Sequence, residues 1–215
     1  MFSRYNLEPQ NAIPLAATIA TSGIAAYQTW RRRQAEQRAE RLHHEATHDK
    51  LTGVLNTRGL EELLENSDAP HAMLYADGTH VHDVNDKYGH KRGDQAIVMT
   101  ADILKRNLRP GDVLARIGGD EFVVVLERER RKDDQTAISS DGELTPVINR
   151  IGGETSHTLR QSENADLVEV GFNIAVGGAV VQEGMSTQGL RDAAEHNMYE
   201  VKAIQHAASP IQSSR

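Results

Sequence analysis

The sequence predicts an α/β layer domain preceded by a helical leader, and three observations predict it. Within the body of the chain, apolar runs of strand length alternate with stretches whose apolar residues recur at helical spacing. One pair of apolar runs, Val113-Leu114 and Phe122-Val123-Val124-Val125-Leu126, brackets Gly118-Gly119 as the arms of a hairpin would. The first 47 residues differ in kind: an uncharged stretch runs into a heavily charged one.

Composition bounds the rest. The 215 residues accommodate one domain of roughly 160 residues plus the leader. With no cysteine, disulfide frameworks and thiolate zinc sites are excluded. The 31 acidic against 24 basic residues, net −7, give no general attraction for nucleic acid, which is not an expected partner. A small polyanion would instead need local neutralisation by a metal and a few cations. Aromatics are only 4 %, so the core must be aliphatic and alanine-rich. No internal repeat is present.

In the leader, Ile13 to Trp30 carries no charged side chain. Roughly eighteen residues is the lower end of what spans a hydrocarbon core as a helix. Arg31-Arg32-Arg33 follow and only Arg4 precedes, so a span would leave the following domain in the cytoplasm, anchored to the inner membrane, with Tyr27 and Trp30 at the interface. That is the expectation for 13–30; a peripheral or packed helix and a cleaved signal peptide are the alternatives, because Gln28, Gly23 and four Ser/Thr keep the stretch only mildly apolar. Arg31 to Thr47 reads as a charged helix with a short heptad-like seam at Ala35, Ala39, Leu42 and Ala46. Taken alone it is a solvated linker; paired in parallel, it would bring two domains together. His43, His44 and His48 read as a solvated face rather than a metal site.

The domain expected at 48–208 is read in chain order. Arg58 to Glu65 is a helix capped by Asn56 or Thr57. Ala72 to Ala76 is a buried strand ending in Asp77, and Gly78 to Val81 is a turn. Gln95 to Asn107 is a helix with apolar residues at Ala96, Met99, Ile103 and Leu104 or Leu108. The hairpin follows, its glycines expected at positive φ. Glu127 to Gly142 is charged, then Ser/Asp/Gly-rich, and reads as an exposed loop or a fraying strand end. Pro146 to Leu159 is helical with a break at Gly152-Gly153; Leu167 to Val181 supplies one or two strands; Leu190 to Ala207 closes with a helix. Residues 209–215 are expected to be a disordered tail.

The chemistry concentrates at the hairpin. Glycines without side chains let a bulky ligand approach the backbone, and the adjacent carboxylates Asp120 and Glu121 can hold Mg²⁺ against a triphosphate. Read on pattern alone, the same string is an ordinary hairpin with an acidic tip. The string Arg116-Ile117-Gly118-Gly119-Asp120-Glu121-Phe122, however, resembles the signature of the GGDEF family of diguanylate cyclases, which condense two GTP into cyclic di-GMP. Other segments match the family in order. His48 to Asn56 resembles its D-x-L-T-G-L-x-N opening. Asp77, Asn85, Asp86, Tyr88-Gly89-His90 and Gly93-Asp94 fit its D-x-D-x-F-K-x-x-N-D-x-Y-G-H-x-x-G-D segment without a gap, and Met198 to Lys202 matches M-Y-x-A-K. The resemblance covers about His48 to His206. It narrows the α/β fold to an α+β palm: a central, mostly antiparallel sheet of about five strands flanked by helices.

The resemblance also implies roles. Asp77, Gly78 and Asp120 would hold Mg²⁺ or Mn²⁺ over the phosphates, with Asp120 and Glu121 catalytic and the choice of base between them open. The turn Gly78-Thr79-His80-Val81 would cradle phosphate through backbone N–H groups. Asn85 and Asp94 would grip guanine, the carboxylate accepting from its N1–H and amino group; on their own, Asn85 would cap a turn and Asp94 the Gln95 helix. Lys202 would meet the γ-phosphate. Arg109-Pro110-Gly111-Asp112 stands at the offset of the family's inhibitory R-x-x-D site, where product binds; alone it is a Pro-Gly turn between charges, and Arg116 would join that site. Three positions depart from the pattern: Thr79 replaces the second Asp of D-x-D, Val81-His82 replaces Phe-Lys, and His206 stands where an Arg assists Lys202. Losing two permanent cations weakens the phosphate clamp. Three readings therefore stay open: a cyclase working as a homodimer on GTP, a weak or inactive domain serving as a cyclic di-GMP receptor, and a palm-fold enzyme making another nucleotide.

Overall fold

The structure, a computed structural model, describes residues 9–66, 70–127 and 144–208. It falls into two units, 1–46 and 47–215. The first is one helix, α1 (Pro9–Thr47), rather than the two segments expected. The side chains at 24 and 26–46 are exposed; the rings of Tyr27 and Trp30 stack at 6.0 Å, and Arg32 pairs with Glu36 one turn on. Among the described residues no helix is long and apolar enough to cross a membrane. The membrane span expected at 13–30 is thus not supported. Thr18, Thr21, Ser22, Gln28 and Thr29 dilute its apolar content.

The second unit is built on a five-stranded sheet in the order β1-β3-β4-β2-β5, with strands β1 (Leu55–Asn56), β2 (Ala72–Thr79), β3 (Val113–Arg116), β4 (Glu121–Leu126) and β5 (Asn173–Val180). All neighbours are antiparallel except β1–β3. This is the expected palm-like layer. Period-two alternation sends successive side chains to opposite faces. Leu74, Ala76, Phe122 and Val124 face one core with Ile97, Leu104, Ile151 and Leu167; Met73, Tyr75, Val123 and Val125 face another with Leu190, Ala194 and Met198. With both faces covered, all eight residues of β2 are buried.

The helices are α2 (Thr57–Asn66), α3 (Val81–Tyr88), α4 (His90–Arg106), α5 (Thr145–Leu159), α6 (Ala165–Glu169) and α7 (Thr187–Ala208), with a 3-10 turn at Ser162–Asn164. The Asn56 carboxamide caps α2 as expected, accepting from the Gly59 N–H at 3.0 Å. Other expectations shift. Helix α3 occupies residues read only as a turn and its sequel, and α4 begins five residues early, so Asp94 lies inside α4 instead of capping it. Helix α5 runs through Gly152-Gly153 without a break, because Ile151 and Thr155 are buried against the domain while the glycines face solvent. Leu167 and Val168 are helical, so strand β5 starts only at Asn173. The loop expected at 127–142 and the tail at 209–215 lie outside the described residues, Glu127 excepted.

One close approach sets the position of α7. A Cβ on Gly177 of β5 would stand 2.1 Å from the Met198 backbone nitrogen, so only glycine lets the helix lie this near the sheet. Lys202, one turn beyond Met198, then reaches the end of β2.

Candidate active site

Asp77 sits two residues inside the end of β2, directly opposite Glu121 of β4. It is 1 % exposed, a costly place for a carboxylate without compensation. Its Oδ2 accepts from the Lys202 ammonium at 2.7 Å, whereas its Oδ1 is buried with no protein donor. The Gly78 N–H donates to the Asp120 carbonyl oxygen at 3.0 Å, which pins the hairpin tip against β2. Three carboxylates and one ammonium therefore meet where α7 passes the end of β2 beside the hairpin tip.

The electrostatics follow from this crowding. Burial, and then the Asp77 charge, push the Asp120 carboxyl above its ordinary range. Burial, then Asp77 and Asp120, do the same to Glu121. Burial works against the Lys202 ammonium, but its hydrogen bond to Asp77 and the surrounding charges outweigh that and raise it. The acids repel one another, and one buried oxygen lacks a partner. That combination suits a divalent cation. Among the described residues no group of three or more His, Asp or Glu side chains forms a ready cage, so ligands beyond Asp77 and Asp120 would come from backbone, substrate or water.

The hairpin tip is shaped differently from the expectation. Neither Gly118 nor Gly119 has positive φ. Gly118 lies against the catalytic candidate: a Cβ there would stand 2.4 Å from a Glu121 carboxylate oxygen and would turn that carboxylate aside. Arg116, expected at the inhibitory site, is committed elsewhere. Its guanidinium holds both Asp49 oxygens (3.0 and 3.1 Å) and the Gly119 carbonyl (2.6 and 3.2 Å). Burial works to raise the Asp49 carboxyl, but hydrogen bonds from Thr52 and Arg116 prevail and lower it. Sequence reading missed this clamp, although Asp49 and Arg116 both lie in the segments it singled out.

The expected phosphate turn is also rearranged. The Gly78 N–H is taken by Asp120, and Thr79 is buried, its hydroxyl donating to the Asn173 carbonyl (3.2 Å) and accepting from the Asn173 N–H (3.1 Å). His80 adopts a left-handed φ of 62° and precedes Val81, the first residue of α3. The opening turn of α3 has no side-chain cap, so no capping side chain takes its first N–H groups. His80 bonds Asp83 at 2.7 Å, and its ring lies 4.7 Å from that of His206. His82 pairs with Asp86 on an exposed face.

Asn85 lies on α3 and Asp94 on α4, and the packing of these helices brings them to one region. Gly93 is the point of contact: a Cβ there would stand 2.0 Å from the Asn85 Oδ1. Asp94 is exposed and lines a cavity of about 540 Å³. Arg109 and Asp112 stand apart, at the other end of β3 from the hairpin tip. Asp112 accepts from the backbone N–H groups of Arg109 (2.9 Å) and Glu127 (3.3 Å), and Gly111 takes a φ of 101°. The turn reading of this segment is therefore realised. A cavity of about 480 Å³ lies beside it, lined by His48, Lys105, Arg109 and Asp112 among others.

Known proteins share this sequence pattern and this fold. The family model described as diguanylate cyclase, GGDEF domain, matches residues 46–207. Diguanylate cyclase DgcN of Escherichia coli K12 is 32 % identical over 187 residues, 80 % of this chain and 41 % of that protein. Diguanylate cyclase TpbB of Pseudomonas aeruginosa is 28 % identical over 168 residues, 74 % of this chain and 35 % of that protein. The chain spans less than half the length of these relatives. Among solved structures, the GGDEF domain of DgcB from Caulobacter crescentus, in complex with c-di-GMP, aligns with a TM-score of 0.60 at 26 % identity, over 74 % of this chain and 91 % of that one. The longer DgcB structure, with its coiled coil, shares the fold at a TM-score of 0.68 and 23 % identity over 86 % of this chain and 95 % of that one. The match runs from α1's last residues through α7 and includes the acidic hairpin, β2 and the closing helix: this chain belongs to the GGDEF-domain diguanylate cyclase family.

Proposed function

We propose that the domain is a diguanylate cyclase that condenses two GTP into cyclic di-GMP, releasing two pyrophosphates. The observation that carries this reading is the buried Asp77, with one oxygen on Lys202 and the other unpartnered, facing Glu121 and Asp120. Asp77, Asp120 and the Gly78 main chain are the groups to hold Mg²⁺ or Mn²⁺, which when bound neutralises phosphate charge and acidifies the attacking 3′-hydroxyl. Asp120 or Glu121, whose carboxyls are both raised, accepts that hydroxyl's proton. Lys202 and the first N–H groups of α3 bind phosphate. Asn85 and Asp94 select guanine, because adenine lacks the N1–H and amino donors that the carboxylate takes from guanine.

Stoichiometry demands a second copy. The product contains two phosphodiester links, each formed when one nucleotide's 3′-hydroxyl attacks the other's α-phosphorus. Two domains, each with one GTP, must face each other about a two-fold axis. Product then binds at Arg109 and Asp112 and inhibits.

A receptor that binds cyclic di-GMP without making it is favoured by one observation. His82 and His206 stand where permanent cations would be expected, and the remaining lysine is engaged by Asp77. Incubating the purified chain with GTP and Mg²⁺ and weighing the products separates these readings. Cyclic di-GMP is expected, and Asp120→Ala is expected to abolish it without loss of fold by circular dichroism. Undiminished synthesis by Asp120→Ala refutes the site; tight cyclic di-GMP binding with no synthesis supports the receptor.

A further inference from the structure

Helices α3 and α4, which carry Asn85 and Asp94, meet at Gly89, whose φ of 83° and ψ of 157° belong to neither helix. Helical continuity therefore does not fix the angle between them. Something else must, since the amide and the carboxylate can address one purine edge only at a set separation.

The segment 163–169 touches both helices. On the α4 side, Arg92 makes a two-pronged pair with Asp166, Nε to Oδ2 and Nη2 to Oδ1, each at 2.6 Å. The same guanidinium reaches the Asn164 side chain (3.2 Å) and the Glu163 carbonyl (3.0 Å), and holds Gln95 on its own helix at 3.1 Å. On the α3 side, Glu169 takes the Lys87 ammonium at 2.7 Å and the Tyr88 hydroxyl. Arg92 is immediately before Gly93, the residue against which Asn85 packs, and two residues before Asp94.

The two clamps differ in strength. The side chains of Arg92 and Asp166 are 19 % and 28 % exposed, and a forked guanidinium–carboxylate pair in that setting is worth more than a solvated ion pair. Lys87 and Glu169 are roughly half exposed, so that tie steers more than it stabilises. Neither clamp reaches the carboxylates at the hairpin.

We propose that Arg92 and Glu169 are positioning residues for base recognition: with Asp166 and Asn164 they brace α3 against α4 and so set the spacing of the guanine-reading pair Asn85–Asp94. This rests on the guanine assignment made above. Loosening the brace should cost the discrimination between bases while sparing what all nucleotides share, their phosphates.

The test is calorimetric binding of GDP, IDP and ADP with Mg²⁺ to the full chain, since diphosphates bind without turnover. IDP lacks only the 2-amino group, and ADP lacks both guanine donors. Wild type should prefer GDP over ADP by tenfold or more, with IDP between. Arg92→Gln and Asp166→Asn should each shrink the GDP preference about tenfold, leave ADP affinity within twofold, and raise the KM for GTP more than they lower kcat. The exchanged pair Arg92→Asp/Asp166→Arg should regain most of the preference. If Arg92→Gln does not fold, Glu169→Gln carries the same comparison. Full GDP preference in these variants, or an equal loss for all three nucleotides, overturns the brace. A wild-type chain that binds the three nucleotides alike, or binds none, instead overturns the guanine assignment itself, and the brace with it.

Discussion

At the scale of single residues, the site is held in tension by its own acids. Asp120 and Glu121 have carboxyls raised above their ordinary range, first by burial and then by Asp77. A carboxyl raised in the folded state favours the fold below its unfolded value, and that contribution is lost as pH rises through the folded value. At neutral pH both acids therefore destabilise the metal-free protein. Asp49 and Asp166 are lowered and act oppositely, supporting the fold above the carboxylate range and failing as pH falls through it. Metal-free melting temperature should accordingly rise as pH is lowered from neutral toward the ordinary carboxylate range, then fall in stronger acid. Asp120→Asn should melt about 2 °C above wild type without metal, by removing one repelling charge. Added Mg²⁺ should raise the wild-type midpoint and leave the variant's unchanged. A thermal scan of both proteins with and without Mg²⁺ checks this, and a destabilised Asp120→Asn would contradict it.

At the scale of elements, helix α5 shows packing overriding local propensity. Gly152 and Gly153 face solvent, and a Cβ on either meets nothing within 4 Å. The helix persists because Ile151 and Thr155 are buried beneath it, the Thr155 hydroxyl donating to the Ile151 carbonyl. Gly152→Ala and Gly153→Ala should therefore each stabilise the domain by about 0.5–1 kcal/mol, read as an upward shift of the urea midpoint with unchanged slope. Gly93 is the contrasting case. Gly93→Ala would drive a methyl into the Asn85 carboxamide and is expected to weaken GTP binding about tenfold while leaving metal binding intact, measured by titration with each. Alike in sequence, these glycines differ only in what stands opposite them.

At the scale of the whole molecule, the proposed condensation of two GTP needs two active sites face to face, so specific activity should fall as the protein is diluted below the dissociation constant of the proposed dimer. An assay across a hundredfold range of concentration, paired with sedimentation, reads this directly; a concentration-independent rate would contradict the two-domain reaction. Arg109→Ala, at the opposite end of β3 from the acids, should leave initial rates near wild type and remove inhibition by added cyclic di-GMP. Loss of the initial rate instead would mean that the 109–112 turn supports the catalytic end of the strand rather than a separate site.

Much of this was legible from the chain. The alternation of strands and helices and the acidic hairpin follow from apolar periodicity and turn residues, because those are local properties of a strand, a turn or a helix face; that Asp77 works with the Asp120–Glu121 tip was implied only by the family resemblance. Helix α3 was not legible: Val81, His82, Asp83 and Val84 favour no single local structure, and burial of Val81 and Val84 under the sheet decides for helix. The Lys202–Asp77 pair spans 125 residues, the Arg92–Asp166 brace 74 and the Arg116–Asp49 clamp 67. Such pairs depend on how layers stack rather than on neighbours in sequence. The sequence alone determined which groups the site contains and which family pattern they follow. Only the tertiary structure decided which of them face one another, because a charge finds its partner through the packing of whole elements, after each element's own pattern has already been satisfied.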